Sequence, residues 1–265
     1  MIVKRIRLFV NNNQLSKQIE QVLSSKLVNN GYELVNGECD LAIAIGGDGS
    51  FLRMVRQNNF DSSCFYIGIN TGTLGFLQEL DIQDIDVFIA YLNEGNYVYD
   101  YYDVQKTALF VGNKVSTETS LNEVVIRDSK LNAIGLQVYV EQQFLENYYG
   151  DGLLISTTIG SSAYNMSFGG SIVDFNLKTM QLTPIAPVTN HKYSNLKNSI
   201  VMPANKTITV VPNRNELLLT IDGENVVVQG VNRISISIEQ DKIKSLKFKE
   251  VGLSHRISSK LLRNN

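Results

Sequence analysis

Tryptophan is absent from this chain of 265 residues, and proline (four), cysteine (two) and histidine (two) are scarce. Each shortage excludes something. His191 and His255 sit in no metal or triad motif, so a His-rich zinc site or a serine-type triad has little to build on. Metal chemistry, where it enters, is expected to be oxygen-ligated. Cys39 and Cys64 have no metal-type spacing, form no disulfide framework and are expected to stay reduced, which fits a cytoplasmic protein. The few prolines leave no Pro- or Ser-rich linker, and neither an internal repeat nor a low-complexity tract is visible. No apolar run approaches the length of a membrane span. The opening Met1-Ile2-Val3-Lys4-Arg5 reads as the entry to a strand rather than as a signal peptide. A net charge of −2 gives no general attraction to nucleic acid or to an anionic membrane.

What is present is globular: 43% hydrophobic and 19% charged residues, enough for one large domain or two modest ones. The chain is organised around residues 41–51. Leu41 to Ile45 form an unbroken apolar run that ends in Gly46-Gly47-Asp48-Gly49, and Phe51, Leu52 and Val55 follow. Such a run suits a strand buried on both faces of a parallel sheet, although a buried helix fits the same pattern. The glycines let the backbone approach a ligand closely, and the N-terminus of a following helix suits phosphate. A carboxylate is out of place in an anion site. Asp48 therefore reads as the holder of a bridging cation or as a proton acceptor, against the plainer reading of a turn residue bonding its own backbone.

In chain order, Arg5 to Val10 predicts a strand, and Leu15, Ile19, Val22, Leu23 and Leu27 predict a helix closed by Asn29-Asn30-Gly31. Tyr66 to Ile69 predicts another strand, leading into Asn70-Thr71-Gly72-Thr73-Leu74-Gly75-Phe76. Asp81 is a candidate cap for a helix with Ile82, Ile85, Ile89 and Leu92 on its apolar face. Alternating strands and helices predict an open, Rossmann-like parallel sheet over 1–100, with both glycine loops at its ligand-binding edge. Beyond the aromatic segment 97–102 the period becomes two. Leu136, Val138 and Val140 alternate with polar neighbours, as do Leu217, Leu219 and Ile221, and Ile234, Ile236 and Ile238. Asp222-Gly223 marks a turn before Val226 to Val228. The expected fold class is thus α/β plus all-β, with a β-rich, sandwich-like domain over 101–249. The segment 250–265 is a candidate to return to the first domain.

Two stretches in the second half look chemical. Asn122-Glu123 can recognise a ribose diol or a purine edge, although the pair alone reads better as a solvated strand start. Gly150-Asp151-Gly152 precedes a strand from Leu153 to Ser156, and Gly160-Ser161-Ser162-Ala163-Tyr164-Asn165 follows it. Ser161 or Ser162 is a candidate helix cap, and Tyr164 a candidate to stack on a flat ring.

Taken together, Gly46-Gly47-Asp48-Gly49, Asn122-Glu123, Gly150-Asp151-Gly152 and Gly160-Ser161-Ser162-Ala163-Tyr164 resemble the NAD kinase family, in its order and over almost the whole chain. The first motif also occurs in lipid kinases of the diacylglycerol type; the combination is specific. The resemblance implies an active site in the cleft between two domains and a homo-oligomer, commonly a tetramer, in which a neighbouring subunit completes the NAD site. It implies transfer of the γ-phosphoryl of ATP, or in some members polyphosphate, to the 2′-hydroxyl of the adenosine ribose of NAD. Mg²⁺ would travel with the ATP rather than sit in a dedicated protein cage. By motif, Asp48 is the proton acceptor, and Gly49 and Arg53 lie beside the phosphates, with Gly46, Gly47, Gly72 and Phe76 as the supporting loop. Asn122, Glu123 and Asp151 would hold NAD, Ser162, Ala163, Tyr164 and Ser167 would line the adenosine pocket, and Ala186 would contact NAD, with Glu224 near another contact position. Two departures stand out. Where many members have Thr-Pro-Thr-Gly-Ser-Thr-Ala-Tyr this chain reads Thr157-Thr158-Ile159-Gly160-Ser161-Ser162-Ala163-Tyr164, with Ser162 keeping the hydroxyl donor, and Tyr149 stands where a basic residue often precedes the Gly-Asp pair. The alternatives are a lipid kinase and a nucleotide-binding sensor without catalysis.

Overall fold

A computed structural model of the chain describes residues 3–72, 75–191, 194–248 and 252–262. Thr73 and Leu74 of the second glycine loop, and 250, 251 and 263–265 of the terminal segment, lie outside the described residues. The chain divides into two units, 1–102 with 241–265, and 103–240.

The first unit opens with β1 (Arg5–Val10), α1 (Gln14–Asn29), β2 (Glu33–Leu34), β3 (Leu41–Gly46), α2 (Asp48–Gln57), β4 (Phe65–Asn70), β5 (Leu80–Asp81) and α3 (Ile85–Glu94). The order β2-β1-β3-β4 is parallel throughout, with Ile6 opposite Leu41 and Leu41 opposite Phe65. Every residue of β3 and β4 is buried, as continuous apolar runs require of a sheet covered on both faces. Asn13 caps α1 by accepting the Ser16 N–H, and Ile19, Leu23 and Leu27 pack toward Leu41, Ile43 and Ile67.

One detail of the helical pattern differs. Residues Ile82–Asp84 form a 3₁₀ turn, closed by reciprocal Asp81–Asp84 capping, before α3 begins. The change of pitch turns Ile82 outward, 42% exposed, and Phe88 joins Ile85, Ile89 and Leu92 on the buried face. Cys39 and Cys64 are buried and free, their sulfurs 3.4 Å apart.

The strand β6 (Val98–Val111) crosses from the first unit into the second. There follow β7 (Lys114–Ser120), β8 (Glu123–Asp128), β9 (Ile134–Val140), β10 (Gln143–Gly150), β11 (Gly152–Thr157), α4 (Tyr164–Ser167), β12 (Thr179–Ile185), β13 (Ile200–Pro203), β14 (Ile208–Pro212), β15 (Glu216–Ile221), β16 (Glu224–Gln229) and β17 (Arg233–Lys247). The second unit is an antiparallel sandwich. One sheet runs β13-β12-β11-β8-β15-β16; the other pairs β10, β9, β14 and the first half of β17. Its core includes most of the alternate side chains read from the sequence: Leu136, Val138, Ile234 and Ile236 share one cluster with Leu217, Leu219 and Ile221 and with Ile126 and Leu153, while Val140 and Ile238 are partly buried at its margin. The second half of β17 returns to the first unit, where Lys244 and Ser245 lie parallel to Phe65 and Tyr66, and α5 (Leu253–Lys260) ends the chain.

Candidate functional site

In the first unit the site is built on the turn between β3 and α2. A Cβ at Gly46 would fall 2.1 Å from Ser50 Oγ, so only glycine lets the strand fold back over the first helical turn. Asp48 occupies the first position of α2, at the positive end of its dipole. Its carboxylate reaches a segment almost thirty residues on: the Phe76 N–H donates to Oδ2 (2.7 Å) and the Leu77 N–H to Oδ1 (3.0 Å). The Gln78 side-chain amide donates to the Gly47 carbonyl (2.7 Å), and the Glu79 N–H to Gly68 (3.1 Å). Residues 76–79 therefore strap the glycine turn in place. Gly75 leaves room for this, since a Cβ there would come 3.0 Å from Asp48 Oδ1. Gly49 and Arg53 are exposed, and Arg53 lines a small cavity of about 120 Å³ with Phe9, Val10 and Ser50. Gly72 opens the loop toward the strap, its N–H held by Asn70 Oδ1 (3.0 Å).

The strap is held from its other side by groups the sequence reading did not single out. Arg256, on α5, donates to the Phe76 carbonyl (2.7 Å) and to Glu79 Oε1 (2.6 Å). Lys247 donates to the same Glu79 oxygen (2.8 Å) and lies 3.1 Å from Asp100. Burial works against both cations. The groups facing them, Tyr102 and Glu79 for Lys247 and Glu79 for Arg256, outweigh it, so both titrate above their ordinary range.

In the second unit, Asn122 and Glu123 stand at the start of β8, each only 5% exposed, which removes the solvated-strand reading. Asp222, at a left-handed φ of 48°, holds this corner by accepting the N–H groups of Leu121 (2.7 Å), Asn122 (2.7 Å) and Glu123 (3.3 Å). The Gly160 loop packs onto it: a Cβ there would fall 2.1 Å from the Asn122 carbonyl oxygen. Thr157 Oγ1 completes the corner, donating to the Leu121 carbonyl (2.7 Å) and accepting the Gly160 N–H (3.1 Å). Burial first, then the nearby charge of Asp222, pushes the Glu123 carboxyl up to about 8, against a backbone hydrogen bond from Tyr164. Asn122 Oδ1 and Glu123 Oε2 are buried with no partner among the described residues. An amide oxygen and a carboxyl oxygen buried side by side in this way are what a ligand's hydroxyl or amino groups would complete.

Neither serine caps the short α4. Its cap position is Ala163, Ser161 Oγ accepts the Val173 N–H (3.0 Å), and Ser162 Oγ donates to the Ile159 carbonyl (3.2 Å). Tyr164 is 39% exposed, its ring edge-on to Phe168 at 4.7 Å and its hydroxyl accepting from Arg127 (3.2 Å). Phe168 seats α4 on Val125, Leu154 and Ile185, the outer face of the six-stranded sheet, and Ser167 on the same helix is exposed. The fully buried Asn165 anchors the helix, donating to Ser161 O (3.2 Å) and accepting from Thr183 (2.6 Å). Arg127, Asn165 and Phe168 carry no motif signal of their own.

Asn122, Glu123, Ser162, Ala163 and Tyr164 thus come together. Asp151 and Ala186 do not join them. They meet at the opposite end of β11, where the Asp151 N–H donates to Ile185 O (3.0 Å) and Ala186 holds a left-handed φ of 45°. That end lies roughly 17 Å away at strand rise. Glu224 is exposed at the start of β16. The Tyr149 backbone is clasped by the Asn195 side chain, which accepts its N–H and donates to its carbonyl (both 3.0 Å). Among the described residues no three His, Cys, Asp or Glu side chains gather as metal ligands.

The model of the ATP-NAD kinase N-terminal domain matches residues 7–97, and that of the ATP-NAD kinase C-terminal domain matches 121–246. The NAD kinase of Finegoldia magna is 34% identical over 255 residues, covering 92% of this chain and 93% of its own. Two crystal structures share the fold. Yeast NADH kinase complexed with NADH has a TM-score of 0.87 at 17% identity, covering 99% of this chain and 88% of its own. An Archaeoglobus fulgidus NAD kinase in complex with ATP has a TM-score of 0.74 at 22% identity, covering 96% and 99%. Matched along both units and nearly end to end by a relative, the chain belongs to the NAD kinase family and is a kinase.

Proposed function

We propose that the chain transfers the γ-phosphoryl group of ATP to the 2′-hydroxyl of the adenosine ribose of NAD, giving NADP, with Asp48 as general base. The observation that carries this is the Asp48 carboxylate, fixed at the tip of a glycine turn by the Phe76 and Leu77 N–H groups. The two N–H donors set the plane of the carboxylate, and a carboxylate offers about four acceptor positions in all. A sugar hydroxyl is a weak nucleophile at neutral pH. Asp48 orients it and takes its proton as the oxygen–phosphorus bond forms, help worth about 10²–10⁴-fold. The rest of the catalysis is positioning and charge neutralisation around a loose transition state.

Gly49 and Arg53 serve the phosphates in this reading. Asn122 and Glu123 take hydroxyl or amino groups of NAD on their unsatisfied oxygens, and Ser162, Ala163, Tyr164 and Ser167 border the adenosine. Asp151 also holds NAD in this reading, and the separation of Ala186 from that group supports its contact with NAD held by a neighbouring copy, in a homo-oligomer that we take to be a tetramer. Mg²⁺ bound to the nucleotide would supply neutralisation of phosphate charge. The Archaeoglobus enzyme's ATP and the yeast enzyme's NADH support the substrate pair, and a cytoplasmic setting fits it.

Purified chain given ATP, Mg²⁺ and NAD is expected to form NADP, with parallel arms of NADH, polyphosphate and diacylglycerol to define donor and acceptor. Binding of NAD without NADP formation would leave a sensor, and phosphorylation of the lipid alone would leave a lipid kinase. Asp48→Asn should still bind NAD and lose most turnover.

A further inference from the structure

One peptide group of the strap that orients Asp48 links the carboxylate to Arg256. The carbonyl of Phe76 accepts from Arg256 Nη1 (2.7 Å), and the N–H of the same peptide plane, on Leu77, donates to Asp48 Oδ1 (3.0 Å). A cation on the oxygen of a peptide group draws electron density toward that oxygen and makes its N–H a stronger donor. The guanidinium grips the strap twice. Its second nitrogen holds Glu79 Oε1 (2.6 Å), three residues on, where the Glu79 N–H also anchors the strap to Gly68 (3.1 Å). Arg256 and Glu79 are both buried, and Lys247 shares the Glu79 oxygen at 2.8 Å. The fork geometry of arginine is what allows one side chain to fix two acceptors in different directions.

We infer that Arg256 is a positioning residue for phosphoryl transfer, setting the plane of the Asp48 carboxylate through the Phe76–Leu77 peptide group. The inference rests on the reading of Asp48 as general base. Arg256 touches neither reacting atom in this account, and its effect belongs to the chemical step. Misplacing a catalytic group by a fraction of an ångström to an ångström costs up to about 100-fold.

The test uses the full chain and steady-state kinetics with ATP, Mg²⁺ and NAD. Arg256→Ala is expected to lower kcat by about 10- to 100-fold while the KM values for NAD and ATP stay near those of the parent. Arg256→Lys keeps the charge beside Glu79 and loses the second grip, so its kcat should fall between the two. In an Asp48→Asn background, Arg256→Ala should cause no further loss, because the group it orients is already gone. Parent kcat in Arg256→Ala, a rise in KM with kcat unchanged, or an equal loss in both backgrounds would each overturn the inference. Should Arg256→Ala fail to give a cooperative melt, Arg256→Lys decides: parent kcat in that folded variant rejects the role. Near-parent turnover in Asp48→Asn alone instead removes the general-base reading, a separate failure visible before Arg256 is altered.

Discussion

Asp48 and Asp222 use one device for two ends. Each stands in a glycine turn, and each carboxylate accepts backbone N–H groups from a segment far along the chain. Asp222 takes three such donors and stabilises the corner from which Asn122 and Glu123 project. Asp48, at the start of a helix, takes N–H groups of Phe76 and Leu77 from a strap itself braced by Arg256 and Glu79. The difference teaches where to look for function. Asp222 is a fixed point that holds other groups, whereas Asp48 is itself held, and a side chain so held by others is one whose orientation matters.

Substituting the two aspartates should separate these roles. Asp48→Asn leaves one acceptor for the two strap N–H groups, so it is expected to lose about 1–3 kcal/mol of stability and to cut kcat by about 10²–10⁴-fold in protein that is still folded; near-parent kcat in the folded variant would erase the distinction. Asp222→Ala removes charge-assisted bonds to partly buried N–H groups, so calorimetry should find a loss of about 2–4 kcal/mol. A neutral Asp222→Ala would mean the Asn-Glu corner supports itself.

Glu123 sharpens the contrast through pH. Its folded pKa, about 8, lies above the ordinary value of 4.5. The folded state therefore holds the proton more tightly, and the stabilisation is complete below pH 4.5 and lost as pH rises through 8. Glu123→Gln should flatten that decline and melt higher than the parent at pH 9, by a few kcal/mol at most. A parent curve that rises between pH 5 and 8 while the variant's stays flat would contradict the burial argument. The smallest effect is expected at Tyr164→Phe. The ring keeps its contact with Phe168, and only an exposed hydroxyl bonded to Arg127 is lost, so stability should change by less than about 0.5 kcal/mol.

How much could be read in advance follows from how local each cause is. The run Leu41–Ile45 and the alternation at Leu136–Val140 or Leu217–Ile221 announce their strands because burial on two faces or one writes itself directly into residue order. Asp48 stands out in the sequence because a carboxylate among glycines conflicts with an anion site, and the structure shows where it is anchored, on the Phe76 and Leu77 N–H groups. Ile82 was misplaced because a 3₁₀ turn shifts the period before α3 begins. Asn122 and Glu123 look solvated in sequence; their burial comes from the Gly160 loop, which no local pattern ties to them. The serine caps failed for a related reason, since Val173 claims the Ser161 hydroxyl from outside the helix. Arg256 carried no signal at all, because its partners, Phe76 and Glu79, are 180 and 177 residues away.

That span has a consequence for biosynthesis. A chain emerging from the ribosome carries the Asp48 turn and its strap long before the helix that braces them has been made. Until Arg256 itself is translated, the first unit can collapse around its sheet yet lacks the guanidinium that we infer to align the carboxylate. A truncation placed just before Arg256 would then yield a product that packs but turns over poorly.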